Sequence, residues 1–256
     1  MDPLAILSGF AVGAIVGLTG VGGGSLMTPL LIGVFKLHPA VAIGTDLWFA
    51  AITKSGGGWA HHRLGHVDQR VTALMLAGSL PATLLMIAWM HASGSRPVWS
   101  QALTLALGIA LLLTAISVAY RKAWAALGQR LEPLLPPRRR DALTVAAGAT
   151  LGVLVSLSSI GAGALGATLL LLLYPRFTPQ RIVGTDIAHA VPLTLVAGIG
   201  HATLGHVDWN LLVMLLIGSL PGIWIGSRLT RSLPDVWVRS ALCLSLTFAG
   251  LKVLAR

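Results

Sequence analysis

Two aspartates stand inside apolar stretches of this 256-residue chain, each preceded by glycine and threonine: Gly44-Thr45-Asp46 and Gly184-Thr185-Asp186. A carboxylate in such a run is costly to desolvate and marks a site of ion coupling or gating by default. The competing reading is a helix cap, in which Thr or Asp satisfies free N–H groups at the start of a helix. Lys54 lies eight residues beyond Asp46, again among apolar neighbours, where its ammonium would pair with a carboxylate or hold an anion. His189 lies three residues beyond Asp186 and on the same helical face. An imidazole there is suited to shuttling a proton near neutral pH.

Two other apolar stretches are broken by glycine, at Gly20 and Gly22, Gly23 and Gly24, and again at Gly161 and Gly163. Backbone N–H groups at a helix start, aided by the helix dipole, bind anions without any charged side chain. Close helix packing through small residues is the alternative use. Substrate contacts are therefore expected at Gly22, Gly23, Gly24, Thr45, Lys54, Gly161, Gly163 and Thr185. Coupling or gating is expected at Asp46, Asp186, His189, His61 and His201.

The remaining histidines invite a metal reading, since His61, His62, His66, His201 and His206 cluster at the ends of similar segments. No cysteine or carboxylate cluster completes a ligand set, so neither a metal nor a cofactor is expected. Asp68 and Asp208 are expected to cap the helices that follow them. There is no GxxxxGK[ST] phosphate loop, and GVGGGS is not a dinucleotide fingerprint. No nucleophile–base pair is visible, so an enzyme is not expected. The single cysteine, Cys243, sits among leucines and reads as a small apolar filler.

The elements that must position these residues are membrane spans. Hydrophobic residues make up 55% of the chain and charged residues 10%, with mean hydropathy +0.83. Soluble domains carry about a quarter charged residues, so this chain lacks the polar shell a soluble fold requires. A cleavable signal peptide is not expected, because the start has no basic residues and the apolar run continues past any cleavage point. The net charge of +10 would suggest nucleic acid in a soluble protein. Here Lys and Arg lie mainly in joints between apolar segments, where they fix topology.

The chain is duplicated. Residues 36–81 match 176–221 at a constant offset of 140: GTD recurs, His61 matches His201, LGHVD at 64–68 recurs at 204–208, and GSLP at 78–81 recurs at 218–221. LTGVGGGSLMTPLL at 18–31 faces LSSIGAGALGATLL at 157–170 at an offset of 139. The first repeat covers 1–119 and the second 141–256, with a basic cytoplasmic linker at 120–140 that carries six Lys/Arg. Each repeat reads as a glycine-broken segment (4–35; 142–174) and three spans, at about 40–62, 71–91 and 99–119, then 180–203, 210–229 and 236–254. A straight helix over 4–35 would be about 48 Å long against a hydrocarbon core of about 30 Å. Two half-helices meeting at a glycine tip are therefore expected, either re-entrant or crossing as a broken pair.

Charge separates two topologies. If the broken segments cross, the repeats are parallel and 11 of the 18 Lys/Arg fall on the linker side; if they return, the repeats are inverted and 14 do. The paired joints HHRLGHVDQR and HATLGHVDWN also differ, as only the first has arginines. Inverted repeats with both termini outside are the expectation, in an all-α polytopic membrane protein.

The motifs GVGGGSLMTPLL, GTDL…ITKS…HHR…VD…GSLP and their second copy resemble the sulfite exporter TauE/SafE family over nearly the whole chain. That resemblance implies about eight spans. It also implies movement of small anions such as sulfite, sulfoacetate or sulfonates across the bacterial inner (cytoplasmic) membrane, mostly as export driven by ion gradients. Many members carry GTS where this chain has GTD, so the two carboxylates depart from the common pattern. The leading expectation is a secondary transporter that exports a small anion. The alternatives are an accessory membrane subunit, motivated by the histidine pairs, and a passive anion channel. The partners implied are the anionic substrate and the lipid bilayer, with a homodimer as the allowed assembly and no nucleic acid.

Overall fold

A computed structural model describes residues 2–19, 24–93, 97–229 and 235–255. Its helices, in chain order, are α1 (Pro3–Thr19), α2 (Gly24–Gly33), α3 (Pro39–Arg63), α4 (Gln69–Ser93), α5 (Pro97–Ala119), α6 (Arg121–Leu131), α7 (Pro137–Ser158), α8 (Ala164–Leu173), α9 (Pro179–Thr203), α10 (Trp209–Leu229) and α11 (Asp235–Leu254). No strand occurs among the described residues. Among the described residues, five helices (α4, α5, α7, α9 and α10) are long and apolar enough to cross a membrane. Helix α3 is as long as α4 and α9 but less apolar, because it carries Asp46, Lys54 and the run Gly56-Gly57-Gly58. The chain is an all-α polytopic membrane protein, as expected.

Local sequence explains the joints. Pro39 and Pro179 open α3 and α9 at a position where no intrahelical N–H is needed. LGHVD is a complete helix–turn–helix joint. Gly65 and Gly205 adopt φ of 69° and 74°, the left-handed conformation that ends a helix. Their N–H groups bond the carbonyls of His62 and Ala202, while the His66 and His206 N–H groups bond the His61 and His201 carbonyls. Asp68 and Asp208 then cap the next helices by accepting from the Val71 and Leu211 N–H groups at 3.0 Å each.

The two halves interleave. Gly9, Gly13 and Gly17 of α1 press on the α10 backbone at Leu215, Ser219 and Ile223, and Gly218, Gly222 and Gly226 answer from α10. A Cβ at any of these would collide with backbone, so the close parallel approach depends on glycine. The equivalent pair α4 and α7 uses Gly78, Gly148 and Gly152 in the same way. Equivalent helices meet antiparallel. Gly44 of α3 touches His206 beyond the end of α9, Trp48 touches Gly198, and Gly58 touches Ile187. In α5 and α11, Gly108 meets Leu254 and Gly250 meets Leu112.

The second broken segment is a hairpin that leaves by the end at which it entered. The Thr144 and Tyr174 hydroxyls, at the start of α7 and just past α8, are 2.8 Å apart. The linker, expected as a joint, holds the amphipathic helix α6 and the first residues of α7. Trp124, Ala125, Gly128 and Leu131 turn inward, with Gly128 against the backbone of Leu171 and Leu172 in α8. One end of the bundle gathers this basic linker with Arg63, Arg70, Arg176 and Arg181, tied by the ion pairs Arg70–Asp141, Arg176–Glu132 and Arg181–Asp68. Lys36 and Lys252 lie at the other end, with the start of α3 and the end of α11.

Candidate functional site

The α7–α8 tip is built from residues that only glycine-rich sequence allows. Gly161 and Gly163 have φ of 130° and 141°, and Ser159 has φ of 58°. The Ser158 hydroxyl accepts from the Ile160 N–H at 3.1 Å and donates to the Leu154 carbonyl at 2.6 Å, which holds the turn to the end of α7. Residues 158–162 are all buried. Backbone leaves helical geometry deep inside the bundle here, which a membrane protein tolerates only where protein surrounds the tip or it lines a cavity.

Three ionisable side chains converge on that tip. Lys54, near the middle of α3 and 8% exposed, donates from Nζ to the Ala162 carbonyl at 2.5 Å. Asp186 of α9 places Oδ1 against Gly166 of α8, where a Cβ would overlap it. Its carboxylate also meets the backbone N–H of Gly163, at the start of α8. That helix terminus, expected to bind an anionic substrate, faces the Asp186 carboxyl group. Asp46 of α3 accepts a short hydrogen bond from the Thr28 hydroxyl of α2. The buried Ser159 side chain lies beside the same carboxylate.

Lys54 acts electrostatically on both carboxylates without a direct ion pair to either among the described residues. Each carboxylate keeps one oxygen, Oδ1, without a hydrogen-bond partner, as does the Ser159 hydroxyl. Buried polar atoms are rarely left so, and a cluster of them is a place where a proton, an ion or a substrate group would be accepted.

The other expected site residues sort into two groups. His189 is buried beside this cluster, its Nε2 2.9 Å from the Ser79 hydroxyl of α4 and its Nδ1 unpartnered. Thr45 and Thr185 do something else. Each hydroxyl accepts, at 3.0 Å, the backbone N–H of an aspartate in the other half's LGHVD turn: Thr45 from Asp208, and Thr185 from Asp68. They lock the two halves rather than face the tip. His201 is fully buried with Nε2 2.9 Å from the Ser156 carbonyl, one of the last carbonyls of α7, which its own helix leaves free. Its ring and that of His206 are 5.6 Å apart, as are those of His61 and His66. Gly24 begins α2, while Gly22 and Gly23 lie outside the described residues.

Sequence reading missed Thr28, Ser159, Gly166 and Ser79. Gly166 had a visible signal, as the third glycine in GAGALG, three residues into the second half-helix. Thr28 had none, since its counterpart at the offset of 139 is Ala167. No group of three or more His, Cys, Asp or Glu side chains able to hold a metal occurs among the described residues.

The chain is 39% identical over 259 residues to "Probable membrane transporter protein YjnA" of Bacillus subtilis (strain 168), covering 99% of this chain and 100% of that one. It is 29% identical to "Probable membrane transporter protein YdhB" of the same organism, over 98% and 99% of the two chains. A "Probable membrane transporter protein" of Xylella fastidiosa (strain 9a5c) is 27% identical over 88% of this chain and 84% of its own length. No solved structure matches. A family model described as "Sulfite exporter TauE/SafE" matches residues 5–253. A multi-pass helical bundle that buries a lysine and two aspartates at a glycine-built tip is thus a membrane transporter, and the chain belongs to the sulfite exporter TauE/SafE family.

Proposed function

We propose that this protein is a secondary transporter that exports a small anion, sulfite or a related organosulfur anion, across the bacterial cytoplasmic membrane and draws on an ion gradient. The observation that carries the reading is Lys54: a cation buried in the bundle, held under the α7–α8 tip by a backbone carbonyl and flanked by Asp46 and Asp186. A buried ammonium with no direct carboxylate partner is costly unless something anionic completes it.

The charge balance couples anion and proton. With both aspartates ionised, the cluster is net negative and repels an anion. Protonation of Asp186 frees the N-terminus of α8, and protonation of both carboxylates leaves Lys54 as an uncompensated cation. Anion binding and proton binding therefore favour each other at this site. An anion that leaves without an accompanying proton gains about 2.3 kcal/mol per charge per 100 mV from the membrane potential, negative inside, and a proton carried out with it cancels that gain.

The antiparallel pairing of equivalent helices and the gathering of basic residues at one end support inverted repeats with that end in the cytoplasm. In a chain with Cys243 replaced by serine, cysteines placed at Arg63 and Thr203 should label from opposite faces; labelling from one face overturns the inversion.

Transport is tested by sulfite efflux from proteoliposomes. Wild type should release sulfite, and Lys54→Ala should not, while eluting as a folded species. Equal efflux from the two proteins removes Lys54 from the pathway. Efflux from neither, against a positive control with another anion, reassigns the substrate.

A further inference from the structure

Helix α8 and its counterpart α2 are treated differently by the rest of the chain. In the second half, α6 covers α8 and brings Gly128 onto Leu171 and Leu172. The counterparts of those leucines at the offset of 139 are Ile32 and Gly33. Ile32 is buried in the core and Gly33 is part-buried, and neither meets a counterpart of α6 among the described residues. Both border an open groove of about 310 Å³ between α2 and α11, with Leu30, Val34, Phe248 and Lys252. Gly33 has nothing within 4 Å of where its Cβ would stand.

The groove is apolar apart from Ser245 and cationic at its mouth. The Lys252 ammonium lies 5.9 Å from the centre of the Phe248 ring. Exposed Lys36 follows two residues after Val34, at the same end of the bundle. No Asp or Glu is among the lining residues. Size decides between a helix and a lipid chain. A helix the length of α6 occupies about 1,300 Å³, from a diameter of about 10 Å and a rise of about 1.5 Å per residue. That is several times the groove volume, whereas a single extended hydrocarbon chain is far thinner. A hydrocarbon chain under a positive rim matches an anionic phospholipid of the leaflet opposite the basic linker, whose phosphate would meet the Lys252 ammonium directly.

We propose that the α2–α11 groove is a binding site for an anionic phospholipid, with an acyl chain along Leu30, Ile32 and Phe248 and the phosphate at Lys252. The lipid stands where α6 stands in the other half. It braces α2, the helix that also carries Thr28 to Asp46. The site is independent of the transported substrate.

The experiment uses the full chain, purified and delipidated in detergent. Phosphatidylglycerol and phosphatidylcholine of identical acyl chains are added, then bound lipid is read by native mass spectrometry and the melting temperature by fluorescence. Phosphatidylglycerol should be retained and should raise the melting temperature more than phosphatidylcholine. Lys252→Ala should reduce that preference about fivefold, the effect of one lysine near an anionic headgroup. Gly33→Leu fills the groove and should abolish retention of both lipids; Ala249→Leu serves if that variant does not fold. Equal retention of the two lipids by wild type overturns the headgroup assignment. Glycerol phosphate binding as well as the lipid overturns the acyl-chain assignment. A dimer that dissociates on Gly33→Leu shows that a second copy occupies the groove, which also overturns the proposal.

Discussion

Asp46 and Asp186 occupy equivalent positions in two copies of one unit, yet their surroundings differ. Asp46 is met by hydroxyls, Thr28 from α2 and Ser159 from the α7–α8 tip. Asp186 is met by backbone, the Gly163 N–H and the bare Cα of Gly166. The repeats carry the same carboxylate twice, but Thr28 beside Asp46 has Ala167 as its counterpart, so the two carboxylates meet different groups. The lysine exists once, because the counterpart of Lys54 is Thr194, whose hydroxyl turns back to the Ala190 carbonyl of its own helix. One cation thus serves two unlike carboxylates. On the proposed mechanism, Asp186 sits where the anion would sit, and its protonation opens the site. Asp46 is anchored to α2 through Thr28, so a change in its protonation would bear on that helix.

The sharpest way to break this comparison is to remove what the two carboxylates share. Lys54→Ala should abolish transport in proteoliposomes, because it leaves two buried carboxylates with no opposing charge. Gly166→Ala comes next. The new methyl group overlaps the Asp186 carboxylate, and overpacking of this kind costs about 1–3 kcal/mol. Thermal unfolding should register that loss, and flux should fall steeply, whereas Gly56→Ala, inside α3 with open space around it, should leave flux unchanged and raise stability by about 0.5–1 kcal/mol. If Gly166→Ala transports normally, Asp186 does not need its place at the α8 terminus. Thr28→Val should cost about 1–2 kcal/mol by leaving the Asp46 carboxylate without its hydroxyl donor. It should also weaken transport less than Gly166→Ala; a larger effect would make Asp46, not Asp186, the group that controls access.

Much of this was legible in the sequence, for identifiable reasons. The spans were readable because apolar stretches ended at LGHVD and at prolines, and those residues do end and start helices: Gly65 and Gly205 in the left-handed conformation, Asp68 and Asp208 as caps. Lys54, Asp46, Asp186 and His189 stood out because charge and imidazole are costly in apolar surroundings. Two things were not legible. GTD reads as one motif, but its threonine bonds the other half's turn while its aspartate faces the tip, and only the crossing of α3 and α9 separates them. Whether the broken segment crosses or returns was open as well. The choice rests on contacts between residues about thirty apart, such as Thr144 with Tyr174, which no local pattern encodes.

The smallest effect distinguishes the two LGHVD joints. Asp68 and Asp208 make the same cap and accept the same kind of N–H, and each donates its own N–H to the other half's threonine. Asp68 alone adds an ion pair, to Arg181 at 2.5 Å. Replacement of either by alanine should cost about 1 kcal/mol for the lost cap. The ion pair is partly exposed, with the Arg181 side chain 49% accessible, so it should add at most about 1 kcal/mol for Asp68 and less in high salt. The check is thermal unfolding of Asp68→Ala and Asp208→Ala at low and high salt, with Arg181→Ala as the third corner of the comparison. A gap between the aspartate variants that closes with salt, and is absent when Arg181 is already removed, assigns it to the ion pair. A gap that survives both assigns it to packing of the first joint against α9, and would mean that the two joints differ in more than charge.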